Sequence, residues 1–466
     1  MNTSDVWQRS PARTFTNTSY LPALQGETPE KSIEIDAPFL ISELNQVNSL
    51  ATLEYGEGSI ENELYKGLTE QRKNIVLFLA GTQHLAGSLI DWKASGIVIN
   101  EQSSDFKSKI KTSMEDIHFF SCNAFGAVDT DRLSAIIART RIAATQLLET
   151  PERSKEVETS AERMLSVVPE VDPDLATEHC FLPPQSLIDY WKPIVEKKYA
   201  DLLALIPEGK EKFDCNDTVK IMNEAISVLQ NKWGLLNAGM WKVQIGKSTL
   251  LVDPDNLTVW VPEKTNKDSI TLKKNVVHEI GGHLLRNLQG ELTGDPLVAS
   301  DMPWRAIEEE SLMTLLDQII GGKPREAGIV DYLSIGLTQN VLDQTSPPNL
   351  YELETLISDF ETIRTKVPLT ESLQANAHNR AFRIARNMPS ILIDGKLYQA
   401  PYGENLKYAL GQPAANKFMT DNVGNPEALD NVMLGKFAYS NPRQVKYTED
   451  KHLGLRYLRN RVPRAA

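Results

Sequence analysis

The chain has 466 residues, 49 Lys+Arg against 62 Asp+Glu, and a formal net charge of −13. With 41% hydrophobic and 24% charged residues it has the composition of a folded globular chain of two or three domains. The acidic balance argues against a nucleic-acid partner and against a polybasic membrane anchor, and no run of 18 apolar residues is present to span a bilayer.

Three cysteines, Cys122, Cys180 and Cys215, are too few and too scattered for a disulfide framework or a Cys-rich metal site. They fit a reducing, cytoplasmic setting, and the first 25 residues show no secretory apolar core. Residues 1–36 are rich in Ser, Thr, Pro, Asn and Glu and are expected to be disordered. Residues 37–128 form an N-terminal region of helical or mixed character without recognisable chemistry. There Ile41, Leu44 and Val47 recur at helical spacing, while the apolar runs 75–80 and 116–120 read equally as strand or helix. His84 and His118 stand alone and read as packing residues.

Residues 129–184 read as a helical connector. A helix is predicted over 129–150, ended by Thr150-Pro151, and a charged, solvated helix face comes next at 152–163. Prolines at 169, 173, 183 and 184 mark an irregular entry to the next region. Over 185–435 the signals sharpen. Helices are predicted at 186–205 and 216–233, a strand at Trp241–Ile245, and two strands joined by a turn at Thr249–Asp253 and Leu257–Val261. A helix then starts at Asp268 or Ser269 and runs through Leu288, with Gly290 as its stop signal. From Lys436 the sequence turns basic, and residues 436–466 are expected to be a solvated tail.

The chemistry concentrates in Asn275-Val-Val-His-Glu-Ile-Gly-Gly-His-Leu-Leu-Arg286, where His278 and His283 bracket Glu279. Metal-binding histidines on a regular helix stand four apart, on one face. Five residues of α-helix turn ~500°, which leaves the second side chain ~140° from the first. A π-type widening realigns residues five apart, and Gly281 and Gly282 tolerate it. Two mid-helix glycines otherwise cost about 1 kcal/mol each with nothing to offset them. A catalytic zinc needs a third protein ligand, commonly a carboxylate on another element. Glu308, Glu309 and Glu310 open a second helix whose Leu312, Leu315 and Leu316 form an apolar face, and any one of the three could turn inward.

These residues resemble the tyrosine/phenylalanine carboxypeptidase family, which includes the microtubule-associated tyrosine carboxypeptidases and bacterial relatives with a QEGLA motif. The family's H-E-I-G-T-H-x-L-R is similar to His278-Glu-Ile-Gly-Gly-His-Leu-Leu-Arg286, with glycine at 282 in place of threonine. Its QEGLA resembles Glu309-Glu310-Ser311-Leu312-Met313, with Ser311 and Met313 at the small Gly and Ala positions. The resemblance implies Glu310 as the third zinc ligand and leaves Glu309 as the fallback. R-V-x-R-G resembles Arg383-Ile-Ala-Arg-Asn387, and F-T-K-D-x-x-Y-x-x-G resembles the segment from Tyr402 to Gly411, where Glu404 and Asn405 replace the Lys and Asp. The likeness covers about 185–435.

The expected fold class is α+β: a mainly helical, zincin-like catalytic domain with a small sheet beside the zinc helix, preceded by the N-terminal region. The implied activity is a zinc metallocarboxypeptidase holding one Zn²⁺ and removing a C-terminal Tyr or Phe from a peptide or protein. Glu279 suits the general base. Arginine best matches a free carboxylate, which makes Arg383 and Arg386 the substrate candidates, with Tyr408 nearby and Arg286 and Arg305 as lesser ones. Leu257–Val261 is expected to accept the peptide as an added strand. The alternatives are an endopeptidase or amidase with the same site, or a non-catalytic module stabilised by zinc; the presence of Glu279 weighs against the latter.

Overall fold

A computed structural model describes residues 35–94, 104–177, 182–247, 249–339, 350–384, 391–393, 396–398 and 403–461, with a few isolated positions. Three helices come first: α1 (Ala37–Tyr55), α2 (Ile60–Ala94) and α3 (Ser104–Phe125). The ambiguous runs at 75–80 and 116–120 both lie within helices, α2 and α3, where Ile75, Val76, Phe78, Leu79 and Ile117 face one core and Phe119 is exposed. The expectation for residues 1–34 lies outside the described residues, apart from Thr3.

Helix α4 (Thr130–Glu149) starts where Asp129 accepts a hydrogen bond from Arg132 N at 2.8 Å, and α5 (Lys155–Val167) starts at a Ser154 cap. The charged face of α5 is held rather than merely solvated, since Arg163 pairs with buried Asp359. Next come α6 (Gln185–Lys198) and α7 (Cys215–Asn231), the latter opened by a capping box of Asp214 and Asp217.

Strands β1 (Lys242–Ile245), β2 (Leu251–Asp253) and β3 (Thr258–Val261) form one sheet in the order β1-β3-β2. β1 runs parallel to β3, with Lys242 opposite Thr258; β2 runs antiparallel, with Leu251 opposite Trp260. β3 is therefore the centre of the sheet with both edges used. The expectation that Leu257–Val261 accepts a peptide is corrected: the open edge next to the zinc helix belongs to β2.

The predicted zinc helix runs from α8 (Ser269–Asn275) through a π-helical stretch, Val276–Leu284, into α9 (Leu285–Glu291). Gly290 lies inside the last turn, against the Val298 backbone, and does not end the helix. Helix α10 (Arg305–Gly321) packs across it, followed by α11 (Ile329–Thr338), α12 (Leu350–Thr365) and α13 (Glu371–Ile384). A hairpin of β4 (Ile391–Ile393) and β5 (Lys396–Tyr398), then α14 (Gln412–Asp421) and α15 (Pro442–Arg461), complete the described chain. The fold is mainly helical α+β. None of the described helices is long and apolar enough to cross a membrane.

Two cores result. One joins α1–α3 to α6, α7, the sheet, the zinc helix, α10 and α14; the other joins α4 and α5 to α11–α13. The first part of the basic segment, residues 436–448, is not a solvated tail. Lys436, Phe437, Tyr439, Gln444, Tyr447 and Thr448 are buried, because its aromatic residues close the first core.

Candidate metal centre

The five-residue spacing is resolved as the two glycines foretell. Across Val276–Leu284 the helix widens to the π form, which brings residues five apart onto one face. The rings of His278 and His283 lie 5.0 Å apart between centroids, inclined by 62°. The glycines serve close approach as well as backbone freedom. A Cβ on Gly281 would lie 2.8 Å from the Tyr199 ring, whose hydroxyl donates to the Gly281 carbonyl at 3.1 Å. A Cβ on Gly282 would lie 1.9 Å from the sulfur of Met313 on α10.

Both Nε2 atoms face the same carboxylate oxygen. Glu310 Oε2 lies 3.8 Å from His278 Nε2 and 3.7 Å from His283 Nε2, and the three donor atoms fall within 4.8 Å of one another. Ligands at ~2.0–2.1 Å from a tetrahedral ion are themselves roughly 3.4 Å apart, and the two histidine–glutamate separations come close to that spacing. Two imidazoles and a carboxylate suit zinc chemically.

The remaining imidazole nitrogens are held by carboxylates. Asp317 Oδ2 lies 3.1 Å from His278 Nδ1, and Glu309 Oε1 lies 2.7 Å from His283 Nδ1. A carboxylate only accepts, so a metal-bound imidazole at either position would carry its proton on Nδ1 and offer Nε2 to the ion. Glu309, the fallback ligand, therefore serves the outer side of His283. It is itself held by Arg305 Nη1 at 2.8 Å and by the buried Lys436 ammonium at 3.6 Å. Burial acts against charge on Glu309, but Lys436, His283 and Arg305 hold its pKa well below the usual carboxylate range. Asp317→Asn is expected to weaken zinc binding by about 10–100-fold, the usual loss when such a partner is removed, as read by competition with a chromogenic chelator.

Lys407, which sequence reasoning did not single out, places its ammonium 3.2 Å from Glu310 Oε1 and 3.6 Å from Glu404. It steadies Glu310 with Oε2 turned to the histidines. Its own position is set by Ser311, whose hydroxyl donates to the Lys407 carbonyl at 3.0 Å. It is also set by Gly411, where a Cβ would meet the Ile307 carbonyl at 2.3 Å. Burial would raise the Glu310 pKa, yet Lys407 and the two imidazoles hold it far below the ordinary value. Glu279 is buried in the same site, and burial lifts its pKa against the opposing pull of both histidines.

Beside His278 opens a cleft of about 620 Å³, lined among others by Thr314, Asp317, Arg380, Arg383, Asn405 and Tyr408. Arg383 and Tyr408 thus reach the same hollow as a histidine of the metal set; Arg386 lies outside the described residues. Arg286 is fully buried and donates to the carbonyls of Gly435 and Phe437 at 2.7 and 2.8 Å, so it anchors the Lys436 segment and cannot meet a substrate. Arg305 is engaged by Glu309.

Comparison of the chain with protein-family models, curated proteins and solved structures finds no match in any of the three.

Proposed function

We propose that the protein is a zinc-dependent peptide hydrolase that removes a C-terminal residue, with preference for Tyr or Phe. The observation that carries this reading is the convergence of His278, His283 and Glu310 on one point, with Glu279, which is not needed as a ligand, buried beside them. A site that only stabilises a fold has no use for that carboxylate.

His278, His283 and Glu310 would hold the ion. Zinc held there supplies a water acidified from a pKa of ~15.7 toward ~7 and a positive charge for the scissile carbonyl oxygen. Glu279 would take a proton from the attacking water as its oxygen bonds to the scissile carbonyl carbon, and would return it to the departing amine as the C–N bond breaks; its burial raises its basicity for this task. Arg383, at the wall of the cleft beside His278, is suited to the free carboxylate of the residue that leaves. Tyr408 lines the same cleft.

The likeness to the tyrosine/phenylalanine carboxypeptidases supports this reading, and the geometry makes sense of two departures from its motifs. Threonine and alanine in the family stand where this chain has Gly282 and Met313, and these two positions touch across the helices. Volume lost at one is regained at the other. Ser311, at the family's glycine position, uses its hydroxyl to fix the Lys407 backbone.

The test is metal analysis of the purified chain together with release of the last residue from Tyr- and Phe-ended peptides. One zinc per chain is expected, with release abolished when the terminal carboxylate is amidated. Equal cleavage of the amidated peptide would instead indicate an endopeptidase or amidase at the same site.

A further inference from the structure

Beyond the His278 cleft, a second hollow of about 420 Å³ abuts the ligand set through Lys407, while the next residue, Tyr408, lines the first. Helices α2 and α3 form one wall of it, with Leu68, Ile75 and Phe125; β2 and the turn after it, Leu251–Asn256, form another; Trp304 stands at the rim. The backbone here is strained. Among the described residues four non-glycine positions have left-handed φ, and Lys247 (49°) and Trp304 (63°) line this hollow, while Leu257 (46°) comes directly after the lining residue Asn256. Such strain gathers where ligands are held.

Trp304 is the telling case. A left-handed position suits glycine, yet it carries an indole that is 41% exposed. The turn is clamped from both sides. Gln71 of α2 accepts from Trp304 N at 3.3 Å, and Gln444 donates to the Pro303 carbonyl at 3.1 Å. Gly67 of α2 lets Pro303 come close enough that a Cβ there would lie 3.3 Å from it. The N-terminal helices thus hold this indole at the mouth of a hollow beside the metal set.

We propose that this hollow takes the peptide chain on the amino-terminal side of the cleaved bond, with its backbone along the open edge of β2 and an apolar side chain laid against Trp304. The proposal rests on the peptide-hydrolase reading. If Arg383 receives the leaving residue, the rest of the substrate needs a path on another side of the metal set, and this hollow is bordered by Lys407, the ion-pair partner of Glu310. Three of its cations are already paired: Lys247 with Asp253 at 2.9 Å, Arg305 with Glu309 at 2.8 Å, and Lys407 with Glu310 at 3.2 Å. Leu68, Ile75, Phe125 and Trp304 supply the apolar surface that would select a side chain. The N-terminal helices then help to determine specificity.

The test compares the zinc-loaded full chain with its Trp304→Gly variant on an N-acyl dipeptide and on pentapeptides with the same last residue, carrying Leu, Ser or Glu before it. Glycine accepts φ +63° and retains the backbone hydrogen bond to Gln71, so the melting temperature should not fall. In the wild type, kcat/KM should favour the Leu pentapeptide over the dipeptide by roughly tenfold, the scale of one apolar side-chain contact, and the variant should lose most of that ratio. An unchanged ratio in the variant, or no gain with length in the wild type, overturns the proposal. If no peptide is cleaved, the hydrolase reading fails separately, and calorimetric titration of the Leu pentapeptide decides. Weaker binding by the variant sustains the hollow as a peptide site; equal binding, or none to either protein, overturns it.

Discussion

Glu279→Gln is expected to leave one zinc ion bound per chain while lowering kcat by roughly 10²–10⁴-fold, the usual contribution of a positioned general base. The amide has the shape of the carboxylate, and the donor set of His278, His283 and Glu310 does not include it. What is lost is the capacity to take a proton from water. The loss should appear in kcat, with little change in KM, because in the proposed mechanism Glu279 acts on the reacting water rather than on the bound peptide. Metal analysis beside steady-state kinetics separates the two outcomes. A variant that binds zinc and turns over at the wild-type rate would remove Glu279 from the mechanism, and one that loses zinc would make it part of the ligand set.

The centre of this site was legible in the sequence because the motif carries its own geometry. Histidines five apart with two glycines between them admit one metal only if the helix widens, and Val276–Leu284 is π-helical. The supporting residues were harder to read. Glu309 and Asp317 act on histidines 26 and 39 residues earlier, and Lys407 and Lys436 arrive from later elements. Contacts so distant leave no local period. One signal was available: Glu310, Thr314 and Asp317 recur at i, i+4 and i+7, a polar stripe on a helix otherwise almost wholly buried. The three strands of the β1-β3-β2 sheet were found, but their order was not, because β1 pairs with β3 across the intervening β2, and the β4–β5 hairpin was missed. Alternation marks a strand without saying whether it is central or an edge. The run at 75–80 became helix because it sits inside a 35-residue amphipathic segment whose polar flanks share the same period.

Gly282 and Met313 allow a second test of large effect, one that reads the geometry of the centre through stability. Gly282→Ala places a methyl where the Met313 sulfur would be 1.9 Å away, and Met313 is fully buried, so it has little room to turn aside. Overpacking of this kind costs about 1–3 kcal/mol. Met313→Ala leaves a void beside the glycine and costs about 2–5 kcal/mol. In the double variant the new methyl faces the vacated space, so the combined loss should fall short of the sum by about 0.5–3 kcal/mol. Zinc affinity should change in the same pattern, since residue 282 adjoins His283 and any shift of the widened turn moves that imidazole relative to Glu310. Urea unfolding with and without zinc, together with chelator competition, measures both. Simple additivity would mean that the two side chains do not share space. The small residue between the histidines would then be required by the backbone alone, and the exchange of volume between the zinc helix and α10 would no longer explain why this chain carries glycine and methionine there.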